Sequence, residues 1–111
     1  MSKESEAAPK EGPPRPKRLL VSSVVRGSHG WVTLTVLDSV EDGVGIPEKT
    51  IRIYDANNVI LPMFDLEKTD TNGTTTLDYE LGERQEASLQ FEVLGTSIKE
   101  TLVLRRELRR L

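Results

Sequence analysis

The sequence lacks several residue types on which common functional sites depend. It contains no cysteine, which excludes disulfide frameworks and thiolate metal sites. It has one histidine, His29, and no Gly-x-Ser-x-Gly motif, so little in it indicates an enzyme. Aromatic residues make up 5% of the chain, so a core must depend on Val, Leu and Ile. No apolar run reaches the length of a membrane-spanning helix.

Charge is distributed unevenly along the 111 residues, although the net charge is only −3. Residues 1–18 carry five basic and three acidic groups, and residues 105–111 carry four arginines and one glutamate. The segment between them has six basic and fourteen acidic groups. Phosphate contacts need clustered Lys and Arg, so we expect no nucleic acid to bind this acidic body.

Residues 1–18 are rich in Pro, Glu, Lys and Ser and show no hydrophobic periodicity. This composition predicts a disordered tail or linker, with a polyproline interaction motif at residues 13–16 as the alternative. The segment also lacks the apolar stretch of a secretory signal. Three localisations stay open: an intracellular protein, a secreted protein whose signal was removed, or a piece of a larger surface or particle protein.

From residue 19 to residue 104 the chain alternates apolar and polar residues in short segments separated by turn residues. The alternation predicts strands at residues 19–26, 31–38, 50–55, 75–81, 87–94 and 97–104. A broken apolar stretch at 59–66, interrupted by Pro62, indicates an edge strand or a bulge. Residues 28–30 indicate a turn. We therefore expect an all-β antiparallel Greek-key sandwich of about seven strands, with a small closed barrel as the alternative.

The stretch "KTDTNG" at residues 68–73 raises the question of a calcium site. If Gly73 took the sixth position of an EF-hand loop, Lys68 and Tyr79 would occupy the two positions that need carboxylates, which excludes that motif. The stretch instead predicts a reverse turn, in which Asp70 and Asn72 cap backbone amides and Gly73 takes a positive φ. A looser calcium site could use the carboxylates of Asp38, Asp42 and Asp70.

The C-terminal residues 105–111, "RRELRRL", form a predicted basic tail. Arg105, Arg106, Arg109 and Arg110 are candidate contacts for an acidic partner or a membrane surface. The alternative is that these charges are simply solvated. Since the segment is too short to hold a helix by itself, a frayed end is the expected structure.

Several segments together resemble bacterial immunoglobulin-like repeats of the invasin/intimin type and the related carboxypeptidase regulatory-like and transthyretin-like modules. They read "VTLTVLD", "DGVGIPEKTIRIYD", "KTDTNGTTTLDYEL" and "ASLQFEVLG". The motifs that carry the resemblance are Val36–Asp38, Gly45–Pro47 and Thr69–Gly73. The resemblance covers roughly residues 24–104. It implies a non-catalytic module of the kind used in cell adhesion: a spacer, a stalk, or a platform for protein or carbohydrate.

The leading hypothesis is therefore a structural or interaction module without a cofactor, which either spaces or presents other parts of a protein or docks a protein partner through loops or an edge strand. A carbohydrate-binding module that uses Trp31 and Tyr54 as exposed aromatic platforms is the second hypothesis. A small hydrolase centred on His29 is the third, and it would need a serine and a carboxylate to meet this histidine in the fold.

Overall fold

The computed structural model describes residues 15–39, 43–61 and 68–107. Within these ranges the chain forms six β-strands and no helix. The strands are β1 (Arg18–Arg26), β2 (His29–Leu37), β3 (Ile51–Tyr54), β4 (Thr74–Glu80), β5 (Glu86–Val93) and β6 (Lys99–Arg105). None of the described residues belongs to a helix that is long and apolar enough to cross a membrane.

The strands form two antiparallel sheets of three strands each. The order is β1-β2-β4 in the first sheet and β3-β5-β6 in the second. Hairpins join β1 to β2 and β5 to β6, whereas the other three connections pass from one sheet to the other. The prediction of an all-β antiparallel fold is confirmed.

The core lies between the two sheets and follows the alternation of the strands. In β2, Val32, Leu34 and Val36 are fully buried, and the residues between them face outward. The core side chains are Leu19, Val32, Leu34, Val36, Ile46, Ile51, Ile53, Leu77, Tyr79, Leu81, Ala87, Leu89, Phe91, Val93 and Leu104. A side-chain period of two places each apolar set on one face, which is why the sequence predicted most of this list.

The turn predicted at residues 28–30 is wrong. Arg26 faces His29 across the first hairpin, so the turn consists of Gly27 and Ser28 alone. Gly27 has a φ of 61°, as tight two-residue hairpins require. Gly30 instead lies inside β2, where an added Cβ would be 3.3 Å from the Leu104 side chain. His29 is consequently a strand residue.

The predicted edge strand at 59–66 is described only as far as residue 61. There the chain makes an isolated bridge between Tyr54 and Ile60, and the Leu61 N–H donates to the Ile53 carbonyl oxygen at 2.8 Å. Pro62 lies outside the described residues. The described part of the chain thus has six strands instead of about seven.

The predicted limits of the tails fall close to strand ends. Strand β1 begins at Arg18 and β6 continues through Arg105, one residue beyond each predicted limit of the domain. Glu107 follows β6 and contacts the first hairpin. Its Oε1 accepts a hydrogen bond from the Gly27 N–H at 2.7 Å, and its own N–H donates to the Gly27 carbonyl oxygen at 2.9 Å. These bonds connect the residues after β6 to the turn between β1 and β2.

A buried threonine connects the two long loops that cross between the sheets. The Thr69 side chain is 2% exposed. Its hydroxyl donates to the Ile46 carbonyl oxygen at 2.7 Å and accepts from the Lys49 N–H at 3.0 Å. The Thr69 main chain adds a bond from its N–H to the Lys49 carbonyl oxygen and one to its carbonyl oxygen from the Glu48 N–H. The segment after β2 is thereby fixed to the segment before β4.

Two glycines allow the backbones of these two loops to contact each other directly. A Cβ added to Gly45 would lie 1.9 Å from the Asn72 carbonyl oxygen. One added to Gly73, whose φ is 78°, would lie 2.5 Å from the Gly45 Cα. The Gly73 carbonyl oxygen also accepts from the Val36 N–H at 2.9 Å, which ties the turn to the end of β2. Glycine is required at both positions.

We predict that Thr69→Val lowers the free energy of unfolding by about 1–3 kcal/mol, because it leaves the Lys49 N–H and the Ile46 carbonyl without the hydroxyl in a buried place. Thr35→Val is the matched control. The Thr35 hydroxyl forms a hydrogen bond with the Thr74 hydroxyl in a part-buried position. We therefore expect Thr35→Val to lower the free energy of unfolding by less than about 1 kcal/mol. Urea denaturation measures both free energies of unfolding, provided that the dependence on urea concentration has the same slope in each variant. Equal losses in the two variants would contradict this role for Thr69.

Candidate functional site

The candidate site lies on the outer face of the first sheet, where the strand register brings one aromatic residue beside apolar and acidic neighbours. Val24 lies opposite Trp31, and Trp31 lies opposite Asp78 on β4. In the adjacent row His29 lies opposite Glu80. We call these five residues the Trp31 face. Trp31 is 40% exposed and Val24 is 59% exposed, so a binding partner could cover both.

Trp31 is held in place by His29, which precedes it by two residues on the same face. The two ring centroids are 4.4 Å apart and the ring planes are tilted by 51°. The His29 ring is itself placed between two carboxylates. Its Nδ1 lies 3.3 Å from Glu80 Oε1, and its Nε2 lies 3.8 Å from Asp78 Oδ2. The indole is therefore supported before any ligand arrives, which lowers the entropic cost of binding.

Glu80 anchors this arrangement. The Ser28 hydroxyl donates to its Oε2, and the Gly82 N–H donates to the same oxygen at 3.1 Å. The hydrogen bond from Ser28, followed by that from Gly82 and the contact with His29, lowers the pKa of the Glu80 carboxyl from its ordinary value of 4.5. The carboxylate is consequently ionised at neutral pH and faces the imidazole.

Ser28, His29 and Glu80 do meet, as the hydrolase hypothesis requires, but in an order that does not activate the serine. The Ser28 hydroxyl donates to the Glu80 carboxylate. A catalytic serine would instead donate to the imidazole, with the carboxylate on the far side of the ring. The contacts thus fit a structural support for Trp31 better than a nucleophile and its base.

Tyr54, the second aromatic residue expected to serve as a platform, is differently placed. It lies on the outer face of the second sheet, where its hydroxyl donates to Glu92 Oε1 at 2.5 Å. This bond is the largest of the effects that raise the pKa of the Tyr54 hydroxyl. The Lys99 ammonium lies 5.9 Å from the ring centroid. Tyr54 is held by its own sheet, so Trp31 is the better platform of the two.

The calcium candidates shape turns in the described structure. Asp38 Oδ1 accepts from the Val44 N–H at 2.9 Å. Asp70 Oδ1 accepts from the N–H groups of Asn72 and Thr74 at 2.8 and 3.0 Å, which confirms the predicted capping by Asp70. Asp42 lies outside the described residues. Among the residues that are described, no group of three or more His, Asp or Glu side chains could hold a metal ion.

The basic C-terminal candidates are only partly described. Arg105 Nε lies 3.2 Å from Glu86 Oε1 in an exposed ion pair. Arg106 donates from its main-chain N–H to the Gln85 carbonyl oxygen at 2.7 Å and from Nε to the Arg84 carbonyl oxygen at 3.3 Å. Arg109 and Arg110 lie outside the described residues. The first two arginines therefore contact the start of β5.

Most of the residues that surround Trp31 differ from the sequence-based prediction. The sequence predicts a turn at His29, and the predicted site residues do not include Val24, Asp78 or Glu80. The spacing of two in His29–Trp31 and in Asp78–Glu80 is a usable signal, because residues at this spacing share a face of a strand. The tertiary fold places β4 beside β2, and no local sequence pattern shows this pairing.

Comparisons with protein-family models, with curated proteins and with solved structures found no match for this chain. The function of the Trp31 face must therefore be inferred from its geometry and chemistry.

The lowered pKa of Glu80 predicts how acid affects stability. Since the folded pKa lies below the unfolded value of 4.5, the ionised carboxylate stabilises the fold above that pH. This contribution is lost as the pH falls through the folded pKa. We expect Glu80→Gln to melt at a lower temperature than the parent at pH 7, and the two melting temperatures to converge in acid.

Ser28→Ala, which removes the first contributor to the shift, should reproduce part of that difference. A constant gap between the parent and Glu80→Gln melting temperatures from neutral to strongly acid pH would contradict a role for the charge.

Proposed function

We propose that this domain is a non-catalytic interaction module of the immunoglobulin-like class, which docks an extended segment of a protein partner along the edge of β1 and onto the Trp31 face. The observation that carries the proposal is the edge strand β1, whose residues between its two terminal arginines are uncharged, beside an exposed tryptophan. A module that served only as a spacer or stalk would have no need for this combination.

The strand order supports the immunoglobulin-like class. In such domains the strands A, B and E belong to one sheet and C, F and G to the other. If β1 to β6 are taken as A, B, C, E, F and G, the orders β1-β2-β4 and β3-β5-β6 reproduce that arrangement. Among the described residues, no strand stands in the place of D between β3 and β4. The resemblance to invasin/intimin-type repeats agrees with this assignment.

Among the edge strands, β1 has the fewest features that discourage pairing with another chain. Its seven residues between Arg18 and Arg26 are all uncharged. Strand β6 carries Lys99, Glu100 and Arg105 along its length, and β4 carries two acidic residues at its end. Strand β3 has four residues, and the bridge from Ile60 covers part of it. Charges and short length are common protections of sheet edges, whereas β1 is nine residues long and is charged only at its two ends.

A strand added to β1 would also extend the Trp31 face. Its outward side chains would lie next to Leu20 and Val24, which are 40% and 59% exposed. Cross-strand pairs of this kind contribute roughly 0.2–1 kcal/mol each, and main-chain hydrogen bonds along the edge supply further affinity. Trp31 lies one strand further in, in the row of Val24, where a long side chain of the partner segment could reach it across β1. Arg26, which is exposed, favours an acidic residue at one end of the partner segment.

Carbohydrate binding at Trp31 is the second candidate function. The row of Trp31 contains Asp78, and the next row contains Thr33 opposite Thr76. An exposed indole flanked by a carboxylate and hydroxyls can stack on a sugar ring and bond to its hydroxyl groups. Because Tyr54 is held by Glu92 on the other sheet, such a site would depend on a single aromatic residue.

Peptide selection from a display library tests the docking proposal. Trp31 is the only tryptophan in the chain, so its fluorescence reports directly on this face. We expect selected peptides to alternate apolar and polar residues and to shift the Trp31 emission. Val24→Lys should weaken their binding about tenfold or more, because it places a charge in the docking row.

The matched control is Val103→Lys on the edge strand β6, where the valine is 41% exposed, and it should leave peptide binding unchanged. Equal loss in both variants would contradict docking at β1. A shift of the Trp31 emission by oligosaccharides, with none by the selected peptides, would favour the carbohydrate candidate instead.

A further inference from the structure

A concave surface separate from the Trp31 face lies between the turn after β3 and the start of β5. It encloses a volume of about 350 Å³. The residues that shape it include Asp55 and Ala56 on one wall, Glu86 and Ser88 on β5, and Tyr79 and Arg84 from β4 and the connection after it. The volume falls in the lower part of the range of small-molecule sites, roughly 300–1,000 Å³.

The cleft exists because β3 is too short to cover β5. The last pair between the two strands is Tyr54 with Gln90. The chain then turns away, and Asp55 Oδ1 stabilises the turn by accepting from the N–H groups of Asn57 and Val59 at 2.8 and 3.0 Å. Within the described structure, residues 86–89 of β5 therefore have a strand partner only on the side of β6. The side toward the cleft presents main-chain donors and acceptors that a ligand could use.

Arg84 is fixed at the wall of the cleft. Its Nε donates to the Leu81 carbonyl oxygen at 3.2 Å, and its Nη2 donates to the Tyr79 hydroxyl at 2.8 Å. The guanidinium carbon lies 5.4 Å from the centroid of the Tyr79 ring. These bonds use Nε and Nη2, so the two N–H groups of Nη1 can serve a ligand. A donor held in this way loses little side-chain entropy when it binds.

Acidic residues line the same cleft. Asp55 and Glu86 are among its lining residues, together with the cationic Arg84. Arg105 pairs with Glu86 Oε1 at 3.2 Å and offsets part of the negative charge. A simple anion would be repelled by the carboxylates, and an apolar ligand would leave these groups without water. A neutral molecule with several hydroxyl groups can accept from Arg84 and donate to Asp55 and Glu86 at once.

We propose that this cleft binds a neutral saccharide unit. The site is independent of the docking surface at β1, since none of the cleft residues belongs to the Trp31 face. The volume suits one or two sugar rings. We expect hydrogen bonds to supply the affinity, and the fixed Arg84 side chain to lose little entropy on binding. For a ligand of this size we expect a dissociation constant on the order of 1 mM.

The test is saturation-transfer NMR and calorimetric titration of the full chain with glucose, galactose, N-acetylglucosamine, maltose and cellobiose. At least one of these sugars should bind to the parent protein. Ala56→Phe places a ring in the cleft from an exposed turn position, so it should abolish binding while the melting temperature stays close to that of the parent. Thr101→Phe, at an exposed position of β6 outside the cleft, is the matched control and should bind like the parent.

A second variant, Arg84→Gln, should weaken binding about fivefold or more, because it removes the charged donor. Absence of binding by all five sugars to the parent would overturn the proposal. Binding that persists in Ala56→Phe would overturn it as well. If that persisting binding is lost in Trp31→Thr, the sugar binds at the Trp31 face instead. None of these results bears on peptide docking at β1, which Val24→Lys reports.

Discussion

The buried hydroxyl of Thr69 is the interaction on which the arrangement of the two sheets most depends. It bonds to the Ile46 carbonyl and the Lys49 N–H, and so joins the loop that leaves the first sheet to the loop that returns to it. Buried main-chain groups must find partners, and here one side chain supplies two of them. The contact of Gly45 with Gly73 brings the loops close enough for these bonds. With both loops fixed, the core residues of the two sheets face each other.

The two outer faces then differ in a way that matters for function. On the second sheet, Arg52, Glu92 and Lys99 form a row of alternating charge, and Tyr54 is bonded within it. On the first sheet, the polar contacts of Glu80 and His29 support Trp31 and leave part of its ring exposed, beside an edge strand that is charged only at its two ends. The first sheet is therefore the side of the sandwich that offers an exposed apolar surface for docking a segment.

Local pattern was sufficient for most of the fold. The alternation in Val32–Val36 and Leu89–Val93 identified strands and their buried faces, and the turn before β4 followed from Asp70 and Gly73. The hairpin turn was misplaced because Gly27 and Gly30 are both plausible turn residues by local chemistry. Only the packing of Gly30 against Leu104, which lies more than seventy residues later, assigns it to a strand.

The candidate site was less accessible to prediction for the same reason. Trp31 could be recognised as an exposed aromatic residue in a strand, but its neighbours come from β1 and β4, and their register is a property of the whole sheet. The role of Tyr54 depended on Glu92 and Lys99 in the same way. Long-range strand pairing decides which side chains are neighbours, whereas alternation shows only which face of a strand they occupy.

Docking on β1 together with the Trp31 face can be tested by chemical-shift mapping, using two-dimensional NMR of the labelled chain with a selected peptide. The largest shifts should occur at the amides of residues 18–26 and at the Trp31 indole N–H, while the amides of β6 stay in place. Shifts concentrated on β6 or on the loops around Gly45 and Thr69, with β1 unaffected, would contradict docking at this surface.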